Sequence, residues 1–227
     1  MCTISYFPFS GADHILTQNR DVGPLRAPAI PPARHTYKGT ELIYPVDPQG
    51  GGTWNASSDS HRACILNGAE YDYFPDFEAP KSRGSLCLDV LAEGADLLHR
   101  EDLSVYDDFT LLYFSLDRKE DIREFRWNGE NLKERRHHPG KPQFWISRGL
   151  YSFEDYLRKK EVFDQFVPEV QDADFEKAQS LIWDFHLQKI VAEEEGFLID
   201  RPGMVKTVSI FQSVYAGKEF TLQYEDF

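Results

Sequence analysis

No stretch of this 227-residue chain stays apolar over the roughly 20 residues that a bilayer-spanning helix needs. The opening Met-Cys-Thr-Ile-Ser-Tyr has neither the basic start nor the long apolar core of a secretory signal, so the expectation is a cytoplasmic protein. Cysteine is scarce. Cys2, Cys64 and Cys87 are odd in number and far apart, which excludes a disulfide framework and a CxxC-type zinc site. Positive charge is short as well: 25 Lys and Arg face 38 Asp and Glu, a net charge of -13. The densest basic run, Lys133 to His138, is broken by Glu134 and reads as a strand-edge or loop cluster. Nucleic acid, whose backbone is bound by clustered cations, is therefore excluded as a partner, and a small-molecule ligand is expected. No repeat or compositional break marks a boundary, so residues 1–227 read as one domain.

Apolar and aromatic residues are plentiful. Hydrophobic residues make up 41% of the chain, enough for a sizeable core, and aromatic runs such as Tyr71-Asp72-Tyr73-Phe74 suit sheets better than helices. Residues 2–9 read as a strand and His14 to Arg20 as its hairpin partner, with turn chemistry at Ser10-Gly11-Ala12-Asp13 between them. Prolines crowd residues 22–48, which predicts a structured, extended loop. Strands are expected near Thr53–Ser57 and His61–Asn67, then a helix from Arg83 on the spacing of Cys87, Val90, Leu91, Ala95 and Leu98. Strands return at Phe109–Phe114 and Ile122–Trp127, and Asn128-Gly129 turns the chain into a third.

Ser152 followed by Asp155 predicts a capped helix, and a second helix should begin near Asp172 or Asp174. Two strands, Val205–Gln212 and Glu219–Tyr224, close the chain. Consecutive strands favour antiparallel sheets with helices on their faces; an αββα sandwich satisfies the count, and so does a simpler α+β fold.

Cys2 is the candidate centre. Removal of Met1 would leave one residue carrying both a thiol and a free α-amine. The amine, with an ordinary pKa of about 7.7–8.0, can take the proton of a thiol whose own is about 8.5. A hairpin would return Asn19-Arg20-Asp21 towards that residue. A carboxylate there can hold the ammonium, and a guanidinium can favour thiolate or bind an anionic group. The plainer alternative is a strand-end turn with local side-chain bonds.

Other features suggest less. Gly50-Gly51-Gly52-Thr53 is followed by no Gly-Lys-Ser/Thr, so it reads as a close backbone approach or a bulge, not a phosphate cradle. His137, His138 and His186 have no second ligand at helical or hairpin spacing and read as surface or partly buried residues. Glu193-Glu194-Glu195 reads as a solvated helix end or loop, and Lys206, on an otherwise apolar strand, as a pocket residue or an edge lysine.

In order along the chain, Met1-Cys2, Asn19-Arg20-Asp21, Arg26-Ala27-Pro28, Gly51-Gly52-Thr53-Trp54 and Ala63 to Asn67 form one series. Ser82-Arg83-Gly84, Trp145 to Ser147 with Leu150-Tyr151, and Val205 to Ser209 continue it. This series resembles the NRDE family, that of transport and Golgi organisation protein two, over essentially the whole chain. Val22 stands where the name-giving motif has Glu. The family in turn resembles the cysteine N-terminal nucleophile hydrolases, which include penicillin acylases.

The resemblance implies a four-layer αββα sandwich of two mainly antiparallel sheets and a hydrolase acting on a linear C–N bond. Cys2 would be the nucleophile, Asp21 the partner of its amine, Arg20 a thiol-tuning or anion-binding cation, and Asn67 an oxyanion donor. Asn19, Trp54, Ser147 and Lys206 would contact the substrate, with no cofactor. Acylases place Arg before Asn, so the order Asn19-Arg20 predicts an arginine on the other strand face. The resemblance also leaves a non-enzymatic carrier of haem or lipid as the rival role.

Overall fold

The structure, a computed structural model, describes residues 2–70, 81–149, 151–188 and 196–227. In chain order the elements begin with β1 (Cys2–Pro8), β2 (His14–Val22), β3 (Ile30–Tyr37), β4 (Thr40–Val46), β5 (Asn55–Ser57) and β6 (His61–Asn67). Helix α1 (Gly84–Glu93) leads to β7 (Phe109–Ser115), β8 (Ile122–Trp127), β9 (Leu132–His137) and β10 (Gln143–Ile146). Then come α2 (Phe153–Gln171), α3 (Phe175–Leu187), β11 (Asp200–Arg201), β12 (Val205–Ala216) and β13 (Glu219–Asp226). The class is α+β with two antiparallel sheets, as expected from the sequence. The tyrosine-rich run at 71–74, the acidic run at 193–195 and Leu150 lie outside the described residues. No helix among the described residues is long and apolar enough to cross a membrane.

The chain divides into two compact units that alternate in sequence. The first comprises residues 1–26, 140–146 and 151–227 and carries the sheet ordered β10-β1-β2-β12-β11, with β13 also pairing β12. Its first hairpin closes where turn chemistry predicts: Phe9 N–H donates to Asp13 O at 2.8 Å, and Gly11 takes φ +63°. Strand alternation sends Ser5 and Phe7 to the face that α3 and α2 cover. Phe7 lies 5.3 Å from Phe163 and 6.0 Å from Phe166 between ring centres, and Phe166 stacks on Phe185 at 4.1 Å. The capping box of α2 forms as the sequence predicts. Asp155 N–H donates to Ser152 Oγ at 3.1 Å, and Ser152 N–H returns a bond to the Asp155 carboxylate at 2.9 Å. Asp174 caps α3 by accepting from Lys177 N–H at 2.9 Å.

The second unit, residues 27–139 and 147–150, holds the seven strands β3 to β9 in sequence order. Here one expectation fails: the proline-rich stretch is a hairpin, not an extended loop. Pro31 and Pro32 are tolerated because β3 is an edge strand and its register shifts between Ile30 and Ala33. Its two-residue turn takes φ +47° at Lys38 and +81° at Gly39, the positive pair that matches strand twist. The Gly52 expectation holds. A Cβ on Gly52 would stand 2.4 Å from the backbone carbon of Gly84, so only glycine lets this loop meet the start of α1. The basic run at 133–137 is the edge strand β9.

Candidate active site

The site builds from the β1–β2 register. Cys2 lies directly across from Arg20, and opposed residues of an antiparallel pair share a face. Arg20 is thus turned to the same side as Cys2, and the reversed Asn-Arg order does not carry it away. Both are almost wholly buried, Cys2 at 2% and Arg20 at 3% exposure. Burial pushes the Cys2 thiol up and the charge of Asp21 adds to this, while the chain's N-terminal charge, Gln18 and Arg20 pull it down.

Asn19 faces the helices and is spent on structure. Its Nδ2 donates to His186 O at 3.0 Å and to Phe197 O at 2.7 Å, so its Oδ1 accepts, at 2.6 Å, from His186 Nδ1. That fixes the tautomer: His186 Nε2 accepts from Ser5 Oγ at 2.7 Å. His186 is fully buried and held neutral, its pKa driven down to about 3 by desolvation. The expectation of a surface or partly buried histidine is corrected, and both ring nitrogens are occupied. Among the described residues no group of three His, Cys, Asp or Glu is placed to hold a metal.

Asp21 is the unusual member. It is fully buried, and its Oδ1 accepts from Thr207 Oγ1 at 2.7 Å. Thr207 is locked in turn to Ile199: its Oγ1 accepts from Ile199 N–H at 2.9 Å, and its own N–H donates to Ile199 O at 2.8 Å. Asp21 Oδ2 has no hydrogen-bond partner among the described residues. Desolvation raises the carboxyl to about 6, against the pull first of the chain's N-terminal charge and then of Thr207, Lys159 and Arg201.

Lys159 is a residue that sequence reasoning missed. It belongs to the buried stripe Lys159, Phe163, Phe166 and Val170 of α2, a spacing that places a lysine on an apolar helix face. Its Nζ donates to Gly196 O and lies 4.9 Å from the Tyr151 ring centre and 5.3 Å from that of Phe197. The Arg201 guanidinium also stands over Tyr151, at 5.7 Å. Burial, and then the charge of Asp21, hold the Tyr151 phenol far above its ordinary range. By contrast Lys206, the lysine that the sequence singles out as a pocket candidate, is exposed. Alternation along β12 buries its neighbours Val205 and Thr207 and turns it outward.

The remaining candidates belong to the second unit. Asn67 ends β6 half-buried, and its carbonyl accepts from Arg148 N–H at 3.1 Å, which brings the segment after Ser147 alongside. Gly68 takes φ +82°, and a Cβ there would stand 2.7 Å from Gly149 N, so Asn67-Gly68 is a tight turn as well as a candidate donor. Ser147 is fully buried, and Trp54, at 6% exposure, is part of the core between Gly52 and β5. The structure therefore gathers Cys2, Arg20 and Asp21 in one unit and Asn67 with Ser147 in the other. Lys206 joins neither group.

Comparison with known proteins adds to this geometry. The family model described as Transport and Golgi organisation 2 matches residues 1–185. No curated protein sequence matches the chain. Among solved structures, penicillin V acylase from Agrobacterium tumefaciens is similar at 9% identity and a TM-score of 0.54, over 100% of this chain and 86% of that one. At this identity the likeness shows a shared fold and nothing of the activity.

Proposed function

This chain belongs to the Transport and Golgi organisation 2 family, and we propose that it is an amidohydrolase that uses Cys2 as an N-terminal nucleophile on a linear amide of a small molecule. The observation that carries this reading is Asp21 Oδ2: a fully buried carboxylate oxygen with no partner among the described residues, one residue from the arginine that faces Cys2. A free α-ammonium on Cys2 is the group that would satisfy it.

Excision of Met1 supplies that amine. The amine takes the thiol proton, and the resulting thiolate lies beside the Arg20 guanidinium. Attack on the amide carbon forms the carbon–sulfur bond and a tetrahedral oxyanion. The ammonium returns its proton to the leaving nitrogen as the carbon–nitrogen bond breaks, leaving a thioester. Water, deprotonated by the same amine, then releases the acid and restores the thiol. Every proton in this cycle moves through groups of this chain. A thiol buried as Cys2 is resists ionisation by itself, so a neighbouring ammonium has much to contribute.

The test is the intact mass of natively expressed protein together with labelling by an acyl-type thiol probe. Expected are loss of Met1 and labelling confined to Cys2, slowed at least about 100-fold by Asp21→Asn. Retained Met1, an unlabelled Cys2 and stoichiometric uptake of haem or an acyl lipid would instead establish a non-enzymatic carrier.

A further inference from the structure

Three side chains on the helix side of the six-stranded sheet close a clasp that the mechanism does not use. Alternation along β1 brings Ser5 to that face, β2 contributes Asn19, and the buried stripe of α3 ends in His186. None of the three is exposed at all. Ser5 Oγ donates to His186 Nε2 at 2.7 Å, and His186 Nδ1 donates to Asn19 Oδ1 at 2.6 Å. In an open cleft that order of hydroxyl, imidazole and amide would serve as nucleophile, base and orienter. Sealed from solvent, it can only hold other groups in place.

Those groups lead to Asp21, and each link is a hydrogen bond. Asn19 Nδ2 donates to Phe197 O at 2.7 Å and to His186 O at 3.0 Å, so both ends of the amide are fixed. Two residues on, Ile199 N–H donates to Thr207 Oγ1 at 2.9 Å, and Ile199 O accepts from Thr207 N–H at 2.8 Å. A hydroxyl has one hydrogen. With Thr207 Oγ1 already accepting from Ile199, its own hydrogen is directed to Asp21 Oδ1, 2.7 Å away, and Oδ2 is the oxygen left without a partner among the described residues. Asn19 and Asp21 share a face of β2, two residues apart, and residues 197–199 bridge them. We infer that His186 is the positioning residue of this site: through Asn19 it anchors residues 197–199, which aim the Thr207 hydroxyl at Asp21 Oδ1 and so leave Oδ2 for the amine of Cys2. The link to Cys2 rests on the amidohydrolase reading; the link to Asp21 does not.

The experiment follows the Asp21 carboxyl carbon by NMR in the full chain, identified as the resonance that Asp21→Asn removes. His186→Gln places its amide where Nε2 stood and loses Asn19, whereas His186→Asn places an amide donor where Nδ1 stood. A carboxylate that loses an aimed hydrogen bond holds its proton more tightly. His186→Gln should therefore raise the Asp21 midpoint by about half a pH unit, about threefold in proton affinity, and slow Cys2 labelling of processed protein about tenfold. His186→Asn should keep both near the parent values. Ser5→Ala, cut from the other end of the clasp, should leave both unchanged although it too empties a buried bond. The charges that act on Asp21, those of the N-terminus, Lys159 and Arg201, are the same in every variant, as are Cys2 and Tyr151, on which it acts in turn. A midpoint unmoved in folded His186→Gln overturns the proposal. So does an equal rise in Ser5→Ala or a failure of His186→Asn to restore the midpoint, because a merely structural clasp makes the three variants alike. Asn19→Ser, too short to reach Phe197 O, decides in the same way if the glutamine variant does not fold. A midpoint that moves while Cys2 of the parent stays unlabelled overturns the amidohydrolase reading and leaves the role of His186 standing; a labelled Cys2 with an unmoved midpoint does the reverse.

Discussion

Two buried carboxylates, one in each sheet, have opposite fates. Glu124 on β8 is 1% exposed, yet it is fully engaged: Arg126 Nε donates to its Oε1 and His137 Nε2 bonds its Oε2. Desolvation pushes its pKa up, but those partners more than offset this and hold the carboxyl below its ordinary value. Asp21 on β2 is just as buried, keeps one oxygen without a partner among the described residues and is pushed up to about 6. A satisfied buried charge is part of the frame. An unsatisfied one, held at a cost to stability, is where a ligand or a processed terminus is expected to arrive.

That contrast can be broken most forcefully through pH. The folded Asp21 carboxyl binds its proton more tightly than the unfolded one, whose pKa is about 3.9. Its contribution to stability is therefore full below about pH 4 and declines as pH rises through 6. Asp21→Asn should remove this decline, so that the variant gains up to about 3 kcal/mol on the parent between pH 4 and 7, read from urea midpoints. If the two curves run parallel, Asp21 is not desolvated as described.

Glu124 has the opposite sign: its stabilisation is present above its unfolded pKa of about 4.3 and is lost as pH falls through the lower folded value. Glu124→Gln should cost about 2 kcal/mol at neutral pH, since it leaves Arg126 and His137 half-buried without their counterion. An unchanged melting temperature would make the two carboxylates alike. The smallest effect should come from His137→Asn, about 1 kcal/mol, because Arg126 still engages Glu124 in its absence. A loss as large as that of Glu124→Gln would show that the histidine carries the pair alone.

Most of the frame was legible. Turn chemistry announced the β1–β2 and β8–β9 hairpins, and Asn128 Oδ1 does accept from the Glu130 and Asn131 amides. Ser152 and Asp155 announced α2. The β3–β4 hairpin was hidden because proline reads as a strand breaker, and an edge strand waives that rule. At four residues β10 is too short to show a period, and only its pairing with β1 defines it.

The site was half legible. Cys2 with Arg20-Asp21 follows from a hairpin and local chemistry, but Lys159 comes from 138 residues further along than Asp21 and was passed over for Lys206. A lysine on a strand looked conspicuous and proved exposed; a lysine at stripe spacing on a helix looked ordinary and proved buried.

The position of β1 in its sheet sets a schedule. It is an interior strand, bonded on one side to β2 and on the other to β10, which the ribosome makes about 120 residues later. At roughly 5–20 residues per second, the outer edge of β1 stays open for something like ten seconds of synthesis. In the finished fold β10 pairs with Thr3 to Tyr6 of that edge, and Cys2 is 2% exposed. Under the amidohydrolase reading, that interval is when an aminopeptidase meets the start of β1 with its outer edge still open.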